Sequence, residues 1–424
     1  MTSWTLPTYA PKRVVITGLG MVTALGTGAE HNWKQMLAGT NGIRNTTLCD
    51  VADLDSQIAG EVPDFDPLNF MDRKEARRTD RFVQFAIAAA GEALAQSGLD
   101  IATHADKIGS MIGAGMGGLT TLEEQFQTLF EKGPNRVSPF LVPMFIPDMA
   151  AGQVSIQYGL RGPNYNTVSA CASGADALGT ALEVIRRGDA VAMVAGGAEA
   201  TITRMGIASF SALRALSTKR NDDPEHASRP YDLERDGFVL GEGAALLVLE
   251  ELEFAQARGA NILAELVSYG QSADAFHVTQ PSEDGEGAAR AMQVALKKAG
   301  ILPTDIDYIN PHGTSTPLND KFETMSVKLV FGENAGSIPM TSTKSMTGHT
   351  LGACGGIEAV VTVLSIRDQR VHPTRNLTVP DPDCNLDYVP EGARDVQIDW
   401  AMSNSLGFGG HNSSLIFRRF TEGS

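Results

Sequence analysis

Residues 168–197 read VSACASGADALGTALEVIRRGDAVAMVAGG. The alanine-rich run from Ala177 to Arg187 predicts a helix, and AVAMVAGG (190–197) predicts a buried strand closing on glycine. The same alternation extends in both directions. RVVITGL (13–19) is a short β-branched strand, Asp80 to Ala95 has apolar residues at helical spacing, and KIGSMIGAGMGG (107–118) is a strand running into a glycine turn. A second series begins near Asn261. ILAELVSY (262–269) is strand-like, Gly287 to Ala299 is an amphipathic helix, and Ile306 to Asn310 is a short strand. Ile357 to Arg367 is a further helix and Leu415 to Arg419 a last strand. Alternation of this kind predicts an α/β architecture with helices covering mixed sheets. No low-complexity linker separates the two series, so they are expected to pack as one body.

The chain has 424 residues, 42% hydrophobic, enough for a sizeable core. A net charge of −16 argues against nucleic acid as the main partner, because phosphate binding needs a basic surface. It leaves room for an acidic protein that docks on a local basic patch. No apolar run approaches the roughly 20 residues that span a bilayer, so no membrane segment is expected. The start, MTSWTLPTYAPKR, lacks a basic segment followed by an apolar one, and the expected compartment is the cytoplasm. Cys49, Cys171, Cys354 and Cys384 are scattered, with no CxxC pair. They match neither a disulfide framework nor a zinc site.

Cys171 lies at the predicted start of a helix, where free N–H groups and the dipole favour a thiolate. A thiolate attacks thioesters well, and its own thioester is a good acyl donor. The heptapeptide VSACASG alone leaves open whether Cys171 is a nucleophile or one more buried small hydrophobe. Cys49, Cys354 and Cys384 read as packing residues.

NPHGTST (310–316) puts His312 directly after a predicted strand, and TSTKSMTGH (341–349) puts His349 five residues after Lys344. Two neutral imidazoles could donate hydrogen bonds to a thioester carbonyl becoming an enolate. Lys344 could hold one of them in place and bias its protonation. The competing reading is a metal site with a third ligand, but no HExxH or short ligand pair supports it. NSLGFGGHN (404–412) is too glycine-rich for a strand or helix interior and lacks the setting of a phosphate loop. Its freed N–H groups could form half of an oxyanion hole, with the N–H of Cys171 as the other half. An ordinary tight turn is the plainer alternative.

Taken together, VSACASG, NPHGTSTPLND, STKSMTGHTLGA and NSLGFGGHN resemble, in this order, the β-ketoacyl-[acyl-carrier-protein] synthases, above all the elongating type II enzymes. The similarity runs from about Arg13 to Phe420. It implies a thiolase-like fold of two pseudo-symmetric halves in five α-β-α-β-α layers, residues 11–260 carrying the nucleophile and residues 261–420 the His, Lys and glycine-rich elements. It also implies a homodimer and a decarboxylative Claisen condensation in fatty-acid elongation. Cys171 would take the acyl chain from acyl carrier protein, and His312 and His349 would stabilise the enolate formed as malonyl carrier protein loses carbon dioxide. The N–H groups of Cys171 and Phe408 would hold the oxyanion, giving a 3-oxoacyl carrier protein and CO2.

The resemblance implies further roles. Phe408 would gate chain loading. Met116, near the dimer contact, would line the acyl pocket together with Phe210. Thr279, Thr314 and Thr316 would bind the phosphopantetheine arm. Glu358 would be structural, positioning the lysine–histidine loop. Arg73, Lys74, Arg77, Arg78, Arg136 and Arg214 would form the basic patch that docks the acidic carrier protein, against the plainer reading of a solvated charge run. No cofactor is required beyond the phosphopantetheine-borne substrates, and any monovalent cation near Asn310, Glu358 and Asn404 would be structural. Three departures stand out: Pro311 for a usual alanine, Leu406 for a phenylalanine beside the gate, and His411 for a common threonine. Thiolases place a second cysteine where this chain has GFGGHN, and non-catalytic chain-length subunits lack the nucleophile that Cys171 supplies.

Overall fold

The structure is a computed structural model that describes residues 12–421. The opening stretch read for a secretory signal lies, as far as residue 11, outside the described residues. The strands that build the core are β1 (Val14–Thr23), β2 (Ile108–Gly113), β3 (Asn164–Tyr165), β4 (Ala192–Glu199), β5 (Gly243–Glu251), β6 (Ala264–Ala273), β7 (Tyr308–Asn310), β8 (Trp400–Gly407) and β9 (His411–Arg418). The helices that matter to the site are α1 (Arg81–Ser97), α2 (Leu119–Lys132), α3 (Met149–Tyr158), α4 (Ser173–Arg187), α5 (Glu286–Ala299), α6 (Pro317–Phe331) and α7 (Cys354–Asp368).

Hydrogen bonding runs through the strands in the order β7-β8-β9-β6-β1-β5-β4-β2-β3. At its middle, β6 and β1 share only two residue pairs, Val15 with Glu265 and Ile16 with Ala264. The path is therefore two sheets touching at one edge. In the first, β1 runs antiparallel to β5, β5 antiparallel to β4, and β4 parallel to β2. In the second, β6 runs antiparallel to β9, β9 antiparallel to β8, and β8 parallel to β7. One pairing scheme occurs twice.

Helices α4 and α7 pack against each other between the sheets, α4 on β4 and β2, α7 on β5, β4 and β8. Leu178, Leu182 and Ile185 of α4 and Ile357, Val360 and Leu364 of α7 share one buried apolar cluster. The all-round apolar character of α7 follows from this central position, whereas α4 keeps a polar edge at Glu183, Arg186 and Arg187. Helices α1 and α3 cover the outer face of the first sheet, and α5, with α6 against it, covers the second. The result is five layers, α-β-α-β-α, as the resemblance implies.

The elements read from sequence are all present, with ends shifted by a few residues. The segment 404–412 differs. It is a hairpin, in which Asn404–Gly407 finish β8, Phe408–Gly410 turn, and His411–Asn412 begin β9. Its two positive-φ residues, Gly409 and Gly410, sit in the turn, where glycine carries no steric cost. Asn404–Gly407 pair with the start of β9, and His411 and Asn412 pair in addition with Ala273 and Ser272 of β6, a distant partner that no local pattern reveals.

Candidate active site

The central helices decide where the site forms. A Cβ on Gly355 would lie 2.4 Å from the backbone nitrogen of Ala175, so the first turns of α4 and α7 approach backbone to backbone. Each helix is entered through a short 3-10 turn, Ala170–Ala172 before α4 and Leu351–Ala353 before α7. Each turn opens on a non-glycine residue with positive φ, Ala170 at 52° and Leu351 at 48°. Conformations of this kind are costly and persist where surrounding contacts impose them. Cys171 sits in the first turn. The Cys354 thiol, on the second helix, donates to the Cys171 carbonyl at 3.2 Å, a structural contact that agrees with its reading as a packing residue.

Cys171, His312 and His349 border one cavity of about 380 Å³. The sulfur and one nitrogen of each ring all lie within 4.8 Å of one another. The rings meet edge to face, centroids 5.2 Å apart. His312 follows β7, and its loop is held by two carboxylates of α6. Glu323 accepts the N–H groups of His312 and Gly313 at 2.7 and 2.8 Å, and Asp320 accepts those of Thr314 and Ser315 at 3.0 and 3.2 Å. His349 accepts the N–H of Leu351 on Nδ1 at 3.2 Å. Lys344 donates to the His312 carbonyl at 2.7 Å, lies 3.4 Å from its Nδ1, and is paired with Glu358.

Burial sets the protonation states. It drives both imidazoles well below their ordinary pKa, and the nearby Lys344 charge pushes the same way. Lys344 loses hydration by burial, yet the surrounding groups, Glu358 among them, hold it above its ordinary value and charged. Burial pushes Glu358 and Glu323 up to about 7.

The thiol behaves differently from the sequence-based expectation. Burial pushes Cys171 up to about 12, while Lys344 and the backbone N–H of Phe408 act in the opposite direction. The helix terminus is present, but desolvation outweighs it in the resting protein. Proximity of Phe408 depends on Gly407, because a Cβ there would lie 2.5 Å from the Ser169 carbonyl and 3.3 Å from the Cys171 nitrogen.

Phe408, Leu406, Phe210, Thr279, Thr314, Thr316 and Arg214 border the same cavity. Thr314 and Thr316 are joined hydroxyl to hydroxyl at 3.0 Å, and Thr316 also caps α6 by accepting the Asn319 N–H. Met116 stands apart. It is 39% exposed on the loop before α2 and does not border the cavity. Lys74, Arg77, Arg78, Arg136 and Arg214 are all exposed, and the Arg78 guanidinium lies 4.4 Å from the centre of the Phe140 ring.

The sulfur and the two rings are close enough together to suggest a metal, but the hydrogen bonds oppose it. With Nδ1 of His349 accepting an amide proton and Nδ1 of His312 facing an ammonium, both ring protons belong on Nε2. The rings are thus donors and lack a free lone pair for an ion.

Sequence reasoning missed several buried carboxylates. Glu323 and Asp320 hold the His312 loop. Asp176, on the first turn of α4, accepts hydroxyls of Ser169 and Tyr269, each at 2.5 Å, and of Ser413. A usable signal for the α6 pair was the capping threonine and proline, Thr316-Pro317, with Asp320 and Glu323 spaced three apart in the helical turns that follow. Asp176 is surrounded by groups from β6 and β9, and nothing local announces it.

Two buried sheets around a paired helix core, with a cysteine, two histidines and a lysine on one cavity, define a thiolase-like condensing fold. The β-ketoacyl synthase N-terminal domain model matches residues 11–255, and the C-terminal domain model matches residues 263–378. The chain is 55% identical over 410 residues to the 3-oxoacyl-[acyl-carrier-protein] synthase 2 of Staphylococcus aureus (strain COL), covering 96% of this chain and 99% of that one. It is 52% identical to the protein of the same name from Synechocystis, covering 96% and 98%. Among solved structures, a β-ketoacyl synthase from Burkholderia phymatum superposes with a TM-score of 0.90 at 41% identity, covering 97% of this chain and all of that one. A type II PKS ketosynthase in complex with its acyl-carrier protein gives the same score at 36% identity and the same coverage. The chain belongs to the β-ketoacyl synthase family.

Proposed function

We propose that the protein elongates fatty acids by condensing an acyl group held on Cys171 with malonyl-[acyl-carrier-protein], releasing CO2 and a 3-oxoacyl carrier protein. The observation that carries this reading is the convergence of the Cys171 sulfur and two neutral imidazoles within 4.8 Å on one cavity. Cys171 attacks the thioester of the acyl carrier protein. Its proton ends on the departing pantetheine thiol, which suits a sulfur that is protonated at rest. Malonyl carrier protein then binds. The C–C bond to its carboxylate breaks, CO2 leaves, and the electron pair moves into an enolate whose oxygen accepts hydrogen bonds from His312 and His349. Because the rings are neutral, they stabilise this charge as donors without surrendering a proton. The enolate carbon attacks the Cys171 thioester, and the N–H groups of Cys171 and Phe408 hold the resulting oxyanion. The C–S bond then breaks to expel the thiolate, which takes up a proton from solvent and returns to the resting thiol. Lys344, fixed by Glu358, orients His312.

The same reading assigns the surroundings. Thr279, Thr314 and Thr316 bind the pantetheine arm, Phe408 gates loading, and Phe210 shapes the acyl pocket, whereas Met116, outside this cavity, contributes to the pocket only across the dimer contact. The basic groups Lys74, Arg77, Arg78, Arg136 and Arg214 dock the carrier protein, an assignment supported by their exposure and by the position of Arg214 at the cavity. We divide the chain at residue 260, where the two sheets share only their β1–β6 contact. A homodimer is supported by exposed Phe126, Phe130 and Ile156 on the α2–α3 side and by the two exposed residues of edge strand β3. A structural monovalent cation fits the buried oxygens Asn310 Oδ1 and Glu358 Oε2, which have no hydrogen-bond partner. The Asn404 side chain is already engaged with Ser414 and Met292. No helix among the described residues is long and apolar enough to cross a membrane, and the four free cysteines agree with a reducing cytoplasm.

The test is CO2 release from malonyl carrier protein by the purified protein supplied with an acyl donor. Release coupled to 3-oxoacyl product is expected. Absence of both would reject the reading.

A further inference from the structure

Glu199, the last residue of β4, has a completely buried carboxylate. Its partners are backbone amides from two separate loops. Oε1 accepts the N–H groups of Met116 and Gly117 at 3.1 and 3.2 Å, and Oε2 accepts those of Gly115 and Gly352 at 2.6 and 3.1 Å. No lysine or arginine forms an ion pair with it among the described residues. Burial pushes it up to about 7, and the four amides pull the other way. A buried charge held by amides alone is expensive, so its retention calls for a role.

The fourth amide points to that role. Gly352 follows Leu351, the residue held at φ 48°, and the Leu351 N–H is the group that binds Nδ1 of His349. Adjacent peptide units thus run from Glu199 to Gly352, to Leu351, to the histidine ring. The left-handed conformation of Leu351 aims its own N–H at the ring while the next N–H reaches Glu199. The carboxylate is itself located by three consecutive amides, Gly115 to Gly117. A Cβ on Gly352 would lie 2.4 Å from the Gly115 nitrogen, so the two loops touch and neither shifts without the other.

Resting on the condensation reading above, we propose that Glu199 is a positioning residue for His349, acting through Gly352 and Leu351. It holds the turn that keeps the His349 proton on Nε2 and the ring edge toward the enolate. A carboxylate serves because it presents acceptors to both loops at once, whereas an amide offers one oxygen and turns its NH2 toward the amides on the other side. The plainer alternative is an anchor for the Gly115–Gly117 turn that has no bearing on the histidine.

The two chemical steps separate these roles, because His349 serves enolate formation and Cys171 acylation does not need it. In Glu199→Gln, CO2 release from malonyl carrier protein should fall about ten- to a hundredfold, while the rate of acyl transfer onto Cys171, followed by mass spectrometry, stays within about twofold. In a His349→Ala background the residual release should no longer respond to Glu199→Gln, since both changes act on one interaction. If Glu199→Gln does not fold, Glu199→Asp, one methylene shorter and unable to span both loops, is read in the same way. Equal loss in both steps, no loss in either, or an additive loss in the His349→Ala background would overturn the proposal. Failure of the unsubstituted protein to release CO2 would instead reject the condensation reading itself.

Discussion

The rings of His312 and His349 meet edge to face with centroids 5.2 Å apart, and each has its Nδ1 turned toward a donor, the Lys344 ammonium for one and the Leu351 amide for the other. Two imidazoles reach this cavity from separate loops, yet both are fixed in one tautomer. This arrangement converts a pair of bases into a pair of hydrogen-bond donors.

That state is directly observable. In protein with 15N-labelled histidine, His312 and His349 should show neutral rings protonated on Nε2 at pH 6, below the ordinary imidazole pKa. Their signals are assigned by His312→Ala and His349→Ala. Rings that titrate near pH 6.5 would be incompatible with the burial and the Lys344 charge that hold both pKa values down.

Burial also links stability to pH. His372 is fully buried between Thr341, Thr343 and the Pro373 carbonyl, and desolvation lowers its pKa to about 4. Between pH 6.5 and 4 the unfolded chain binds a proton at this site that the folded chain refuses, so stability falls as pH falls through that window. The loss from this group is on the order of 3 kcal/mol. Denaturant titrations at pH 7 and pH 4.5 should show a smaller difference for His372→Asn than for the unsubstituted protein.

Carrier-protein docking should follow charge. Reversing Lys74, Arg77 and Arg78 to glutamate should raise KM for acyl carrier protein about tenfold at low salt, an effect shrinking at high ionic strength. Turnover of a small acyl thioester lacking the carrier protein should stay unchanged. An equal effect on both substrates would remove the docking assignment.

Much of this was legible in the sequence because the chemistry sits on local patterns. Cys171 precedes a helix, His312 follows a strand, and the Lys344–His349 loop is marked by small hydroxyl residues and glycine. The α/β class followed from alternation, and the five-layer order only from the family resemblance. What stayed hidden depends on distant partners. The hairpin at 404–412 is strand on both sides because its arms pair with each other and β6 pairs with the second arm, and glycine content alone suggested a loop. The high thiol pKa of Cys171 reflects how deeply the two helix ends bury it, whereas the sequence showed only the helix terminus. Glu199 lies 28 residues from the cysteine and 153 from Gly352, and nothing along the chain joins them.

The central claim is that Cys171 carries the growing chain while the paired imidazoles act on its partner. The most direct measurement is mass spectrometry of the protein after brief exposure to acyl carrier protein bearing an acyl chain, with no malonyl substrate present. One acyl mass should appear on the peptide containing Cys171, vanish when malonyl carrier protein is added, and be absent from Cys171→Ala. An acyl group on another residue, or normal condensation by Cys171→Ala, would contradict the account.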